Sequence, residues 1–157
     1  MHYGVLVILD EEYGEESRDS AGLDTDVKQA LARFRESEWD WYQIGGRWTG
    51  HFDGYDPHTD PVNLDEAGKA KWPIAWKSHA GDVIPVEQLT ARHLEDVWAF
   101  VIGGCWHGGQ DYFPWREENG NGQRDVKKMF VKRERPPLEW IKRECSGHTV
   151  VIVDCHN

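Results

Sequence analysis

Several features that would place a chain in a familiar class are missing from this one. Its 157 residues contain no run of 18 or more apolar residues, so no membrane-spanning helix is expected. Asp10 interrupts the apolar N-terminal segment too early for a signal peptide. Only three cysteines occur, and this odd number disfavours a disulfide framework and suits a reducing compartment. The sequence therefore predicts a cytoplasmic protein with no membrane partner.

Phosphate-binding and DNA-binding signatures are also lacking. No G-x-x-x-x-G-K-[ST] loop is present, and no G-x-G-x-x-G opens a predicted helix. No acidic cluster at helical spacing resembles a two-metal nuclease. The 18 basic residues face 28 acidic ones, and the resulting net charge of −10 argues against a wide footprint on duplex DNA.

Charge is unevenly distributed along the chain. Residues 10–40 carry eleven acids and four bases, whereas residues 124–144 carry eight bases and four acids. The simplest interpretation is a solvated acidic loop over Asp10–Gly22 and a solvated basic helix face. Alternatively, the asymmetry orients a self-association, or the basic segment faces an anionic ligand.

Apolar runs and spacings predict a mixture of strands and helices. Strands are predicted at Tyr3–Leu9, Trp39–Ile44, Val97–Ile102, Gln110–Trp115 and Thr149–Asp154. Helices are predicted at Val27–Phe34, with Asp24 or Thr25 as N-cap, and at Val86–Asp96, Asp125–Lys132 and Leu138–Glu144. Loops or turns are predicted at Gly103–Gly109 and Arg116–Arg124.

This order of elements predicts the architecture. Strands mixed with helices favour a single α+β domain over residues 1–157, with a mostly antiparallel sheet and helices on one face. Residues 53–82 are rich in proline and polar residues and have no clear period. They predict a long surface excursion with one short helix around Leu64–Ala70.

A short sequence occurs twice. Residues 44–50 (IGGRWTG) and 102–108 (IGGCWHG) are identical at five of seven positions, and Asp53 and Asp111 each follow three residues later. Each copy also follows a predicted helix and an apolar strand. The repeat predicts two equivalent halves related by a pseudo-two-fold, as in a ferredoxin-like arrangement.

The repeated heptads are the candidate binding site. Paired glycines permit positive φ and close approach of a ligand or of backbone. A tryptophan then stacks on a planar ligand and Arg47 pairs with an anion. The predicted ligand-binding residues are Tyr42, Gly45, Gly46, Arg47, Trp48, Gly103, Gly104, Trp106 and His107. Alternatively, each heptad is a strand-end corner covered by its tryptophan, and Arg47 stacks on a neighbouring ring.

A nucleophilic role is conceivable at the second heptad. Cys105 and His107 could form a thiolate–imidazolium pair, with Asp111 close in sequence. No third group that would orient the imidazole is identifiable, and a cysteine at a strand end is more often a packing residue. The balance is therefore against an enzyme.

Thiols and imidazoles also raise the question of a metal. They group as Cys105 with His107, Cys145 with His148, and Cys155 with His156. Four of them could complete a zinc site if the last strand lay beside the Cys105 loop. However, no Cys-x-x-Cys occurs and adjacent strand residues point to opposite faces, so neither a metal nor another cofactor is predicted.

One family resemblance covers most of the chain. The block WDWYQIGGRWTG at residues 39–50, with GYDP at 54–57 and DP at 60–61, resembles small uncharacterised proteins of actinobacteria and their bacteriophages. GDV at 81–83 and VDCH at 153–156 are similar to the same family. Many relatives carry a cysteine-rich, zinc-ribbon-like insertion after the segment matching 57–63, and this chain does not, so the resemblance implies no structural zinc. It implies an origin and no particular reaction.

Three functions remain open. The first is a homodimeric binding protein of phage type, in the host cytoplasm, that holds a nucleotide-like anionic aromatic ligand. Sequestration of a host immune nucleotide signal is implied only by the resemblance. The second is a hydrolase or transferase that acts on such a ligand through Cys105, His107 or Asp111. The third is a tryptophan-rich module that binds a host protein.

Overall fold

The computed structural model describes residues 1–10, 21–75, 79–118 and 124–157, with backbone alone at 79–80, 112–118 and 124–128. The strands are β1 His2–Leu9, β2 Trp41–Ile44, β3 Val83–Pro85, β4 Ala99–Ile102, β5 Cys105–Gly108, β6 Gln110–Glu118, β7 Arg124–Lys132 and β8 Thr149–His156. The α-helices are α1 Ala21–Leu31, α2 Ala91–Glu95 and α3 Leu138–Glu144. Most of the predicted acidic loop and of the predicted turn at Arg116–Arg124 lies outside the described residues.

One sheet organises the molecule. Its strands lie in the order β2-β8-β1-β4-β5, and β3 also pairs with β8. Strands β1 and β4 are parallel, and the other neighbours in this sheet are antiparallel. Strands β6 and β7 form a separate antiparallel hairpin. The prediction of an α+β fold with a mostly antiparallel sheet is confirmed.

Both faces of the main sheet are covered by helices, which corrects the prediction that helices lie on one face. Val5 and Val7 of β1 pack in the cluster that contains the apolar side of α1. Leu6 and Ile8 point to the other face and pack with Ile141 of α3. The physical reason is the continuous apolar run in β1 and β8, which is typical of strands buried on both sides.

The pseudo-two-fold repeat is not confirmed. Each heptad starts at the last residue of a strand, but the two strand ends are at different heights in the sheet. Ile44 is aligned through Val153 and Val5 with Ala99, the first residue of β4, whereas Ile102 is the last residue of β4. A two-fold axis normal to the sheet would also place two equivalent strands in opposite directions, whereas β2 and β4 run in the same direction. The following backbone differs as well, because the first copy enters a 3-10 turn and the second a tight hairpin.

Some predicted local elements are wrong. Asp125–Lys132 is not helical, because β7 pairs with β6 along its whole length. Leu64–Ala70 is not helical either. There the Asp65 carboxylate accepts the N–H groups of Ala67 and Lys69, both at 2.9 Å, and closes a turn instead.

Other predicted boundaries shift. The predicted helix at Val86–Asp96 is split into a 3-10 turn, Val86–Gln88, and α2. Gly103–Gly109 is not a loop throughout, because it contains β5. Helix α1 begins at Ala21, so Asp24 lies in its first turn instead of capping it. Among the described residues, no helix is long and apolar enough to cross a membrane.

Two short strands share one edge of β8. Ile44, the last residue of β2, pairs with Val153, and Val83, the first residue of β3, pairs with Val151. Between them, Gly45 N–H donates to the Ile152 carbonyl at 2.9 Å. The segment 45–82 therefore leaves the sheet and returns to it at neighbouring points of the same strand.

Candidate functional site

The turn that follows β2 needs its two glycines. Gly45 and Gly46 have φ values of 68° and 54°, a region that L side chains rarely adopt. A Cβ atom at Gly45 would lie 2.2 Å from an Asp82 carboxylate oxygen, and one at Gly46 would lie 2.5 Å from Asp154 Cβ. The glycines thus allow the backbone to approach two buried aspartates.

The first of these aspartates, Asp82, caps the far end of the turn. It is 1% exposed and accepts hydrogen bonds from Thr49 Oγ1 at 2.7 Å and Gly50 N–H at 2.9 Å. A buried carboxylate is tolerated when such donors replace its lost hydration. Asp82 therefore belongs to the structure of the turn.

The second, Asp154, holds the near end. It is 2% exposed, and its two oxygens accept from Arg47 N–H at 3.1 Å and from His2 Nδ1 at 2.9 Å. The sequence interpretation missed both aspartates. Their signal is a single acidic residue at the end of an apolar run, in GDVIP and in VIVDCH.

Trp48 covers the sheet. A Cβ atom at Gly4 of β1 would lie 2.6 Å from Trp48 Nε1, so the indole rests directly on the glycine backbone. The ring is half-buried and packs against the cluster that contains Leu6 and Phe100. Trp48 thus fits the alternative of a tryptophan that covers a strand-end corner, and its ring is not an open platform for a ligand.

Arg47, unlike the neighbouring half-buried Trp48, is exposed to solvent. Its side chain lines a cavity of about 590 Å³, which we call the Arg47 cavity. The other lining residues are Thr49, Tyr55, Asp56, Pro57, His58 and Trp72. Within the part of the chain that the structure describes, the Arg47 guanidinium has no hydrogen-bond or ion-pair partner. The cavity therefore presents a guanidinium without a direct partner among the described residues, together with the Asp56 carboxylate.

The cavity wall is fixed by local hydrogen bonds. Tyr55 donates its hydroxyl proton to Asp60 at 2.9 Å. His58 Nδ1 lies 3.2 Å from Asp56 Oδ1, and both side chains are more than half exposed. Trp72 is 76% exposed and presents an indole to solvent. Arginine, imidazole and indole together suit an anionic aromatic ligand.

One buried amide shapes this segment. Asn63 is 1% exposed, and its Nδ2 donates to the carbonyls of Pro57 and Ala75, both at 2.8 Å. Its Oδ1 accepts from Ala75 N–H at 2.7 Å. Asn63 thereby ties the loop of Tyr55 and His58 to the strip of chain that carries Trp72.

The second heptad does not join this cavity. Gly103 and Gly104 line a separate depression of about 270 Å³ beside Asp10 and Asp26, and the Gly104 carbonyl accepts from Arg33 at 2.9 Å. Trp106 packs on Phe34, with ring centroids 5.5 Å apart. Tyr42 also lies elsewhere, on the sheet face covered by α1.

The surroundings of Tyr42 explain its behaviour. Its hydroxyl lies 3.2 Å from Asp24 Oδ1 and its ring stands perpendicular to Trp39 at 5.4 Å. Burial, and then the Asp24 carboxylate, raise the pKa of Tyr42 to about 12. Tyr42 therefore stays a neutral packing residue at physiological pH.

The candidate catalytic residues are not assembled. Cys105 is exposed and His107 lies near Trp140, with ring centroids 6.3 Å apart. The Asp111 carboxylate is 3.5 Å from Arg133 Nε. In the described region no hydrogen bond or ion pair joins Cys105, His107 and Asp111, so a nucleophile hydrogen-bonded to a base and an orienting group is not formed there.

The thiols do not converge either. Cys145 and Cys155 are buried in the clusters on opposite faces of the main sheet. Burial, and then the charge of Asp154, raise the pKa of Cys155 to about 12. In the ranges that the structure describes, no three or more His, Cys, Asp or Glu side chains are grouped so that they could hold one metal ion.

Comparison of the chain with protein-family models, with curated proteins and with solved structures finds no match. The site must therefore be interpreted from its own geometry.

Proposed function

We propose that the protein binds a small anionic aromatic ligand of the nucleotide type in the Arg47 cavity. The observation that carries the proposal is an exposed guanidinium, unpaired among the described residues, in a cavity that also presents the Trp72 indole. A volume of about 590 Å³ lies within the usual range for small-molecule sites. The overall charge of −10 is unfavourable for an anion, so Arg47 supplies the local attraction.

Each part of such a ligand has a counterpart in the cavity. Arg47 offers a planar fork of donors to a phosphate or carboxylate. His58 donates its Nδ1 proton to Asp56, so the neutral ring offers the lone pair of Nε2 as an acceptor to a ligand. Trp72 provides the apolar face on which a base stacks. The biological part of the proposal is the sequestration of an immune nucleotide in a host cytoplasm, and it depends on the family resemblance alone. The proposal also includes a homodimer, whose association the uneven charge along the chain would orient.

The test is a calorimetric titration with nucleoside monophosphates, diphosphates and cyclic nucleotides. We expect Arg47→Ala to weaken binding about ten- to a hundredfold, since a charge-assisted hydrogen bond contributes about 1.5–3 kcal/mol. Trp72→Ala should weaken binding by about tenfold without loss of stability, because its side chain is largely exposed. Arg143→Ala removes an exposed arginine of α3 and serves as the matched control.

Two outcomes would overturn the proposal. If the wild type binds no member of the panel, or if Arg47→Ala binds as tightly as the wild type, the Arg47 cavity is not a site for anionic nucleotides. Chromatography of each mixture separates binding from turnover. Consumption of a nucleotide that is lost in Cys105→Ser would instead favour the hydrolase or transferase hypothesis.

A second candidate function has its own observation. Val62 and Trp72 are 61% and 76% exposed, and both belong to the excursion. Exposed tryptophan is typical of protein interfaces. If no nucleotide binds and a host protein is retained by the wild type but not by Trp72→Ala, the interaction module is the better description.

A further inference from the structure

A row of three rings crosses one end of the main sheet. His2 of β1 pairs with His156 of β8, and His156 pairs with Trp41 of β2. Directly paired residues on antiparallel strands lie on the same face with Cβ atoms about 5 Å apart. The two imidazole centroids are 4.9 Å apart, and the Trp41 ring is 5.9 Å from His2.

Each imidazole is held by a carboxylate. His2 Nδ1 lies 2.9 Å from Asp154 Oδ1, and His156 Nδ1 lies 2.8 Å from Asp40 Oδ1. A carboxylate accepts the Nδ1 proton, so the neutral ring carries its free lone pair on Nε2. Because Asp154 is itself buried and fixed by Arg47 N–H, the orientation of His2 is set from the interior.

The same groups are accessible from solvent. The side chains of His2 and His156 are 25% and 39% exposed. The buried Asp154 and the exposed Asp40 place two negative charges behind the rings. These negative charges would balance the positive charge of a metal ion bound by the two imidazoles.

We propose that His2 and His156 together bind one divalent transition-metal ion through their Nε2 atoms. Imidazole favours zinc, nickel and copper, and the carboxylate–histidine arrangement is the usual support for such ligands. Two protein ligands leave the remaining coordination positions to water, so the site is open. The inference stands independently of the Arg47 cavity as a ligand site.

The experiment titrates the full chain, without a histidine tag, with Zn²⁺ and with Ni²⁺. Two extra residues ahead of Met1 move the terminal amine, itself a metal ligand, away from His2. We expect one ion per chain and at least tenfold weaker binding in His2→Gln and in His156→Gln. Asp40→Asn keeps both imidazoles and should still weaken binding about tenfold or more, as outer carboxylates do. His148→Gln removes another partly buried histidine, whose Nδ1 lies 3.8 Å from Asp10 Oδ1, and should bind as the wild type does.

Spectroscopy provides a second readout. Bound Cu²⁺ should quench the fluorescence of Trp41, so the quenched fraction should fall in Trp41→Phe while the stoichiometry stays at one. Melting curves without metal establish that each variant is folded. Binding that is unchanged in both His156→Gln and Asp40→Asn, or that is lost in His148→Gln, overturns the assignment. Failure of either histidine variant to fold leaves Asp40→Asn as the deciding measurement.

Discussion

Removal of the Asp82 carboxylate tests the account of the turn after β2. In Asp82→Ala, Gly50 N–H is left buried without this acceptor, and a buried unsatisfied donor costs about 1–3 kcal/mol. The Thr49 hydroxyl also loses its partner, but it is half-buried and can turn toward water. Together these losses predict a decrease of about 2–4 kcal/mol in the free energy of unfolding.

Two further variants make the prediction specific. Asp82→Asn keeps the shape, because its amide oxygen can accept from Gly50 N–H and its amide group can donate to the Thr49 hydroxyl, so about 1 kcal/mol is expected. Thr49→Val removes one donor and should cost about the same. Urea unfolding followed by circular dichroism measures all three. A loss below 1 kcal/mol in Asp82→Ala, or equal losses in the alanine and asparagine variants, would refute the reasoning.

Three other predictions concern packing, thiols and pH. Gly46→Ala should lower the free energy of unfolding by more than about 2 kcal/mol, because the new Cβ atom meets both a positive φ and the Asp154 side chain. Gly68→Ala, at φ 74° in open space, meets only the positive φ and should lower it by about 1 kcal/mol. Equal losses in urea unfolding would contradict the crowding argument. In native protein at pH 8, a thiol reagent should label the exposed Cys105 and spare the buried Cys155, whose pKa is about 12, as detected by mass spectrometry. Rapid labelling of Cys155 would show that the sheet face covered by α1 opens in solution. Burial, and then a neighbouring imidazole, lower the pKa of His93 from 6.5, so the unfolded chain takes up its proton first and stability falls as the pH drops below about 6.5. His93→Gln should flatten that slope in urea titrations at several pH values, and an unchanged slope would remove His93 as its cause.

Parts of the fold follow from local sequence. The apolar runs at Tyr3–Leu9 and Thr149–Asp154 predict strands, and both are confirmed in β1 and β8. Leu138–Glu144, predicted as a short helix, is confirmed as α3, with Pro137 at its N-cap position. The segment Asp125–Lys132 was predicted wrongly, since its strand conformation depends on pairing with β6, which its own composition does not report.

The candidate site was predictable to a smaller extent. Arg47 lines a cavity beside the paired glycines, and this could be expected from the motif itself. The partners His58 and Trp72 come from a stretch without hydrophobic period, so no pattern placed them beside it. Asp82 directly precedes β3 and Asp154 belongs to β8, so both are distant from the turn in sequence, and only the three-dimensional arrangement reveals that they hold it.

Because β2 and β3 both pair with the same edge of β8, the excursion between them can be replaced without changing the sheet. Its departure opposite Val153 and its return opposite Val151 are separated by about 7 Å, two residues of strand rise. The entropic cost of closing a loop between two points so close together rises only slowly as the loop lengthens. The segment between Gly50 and Asp82 can therefore vary in length, or exchange one surface for another, without a change in strand order. In this architecture the sequence of the excursion can change while the sheet stays the same.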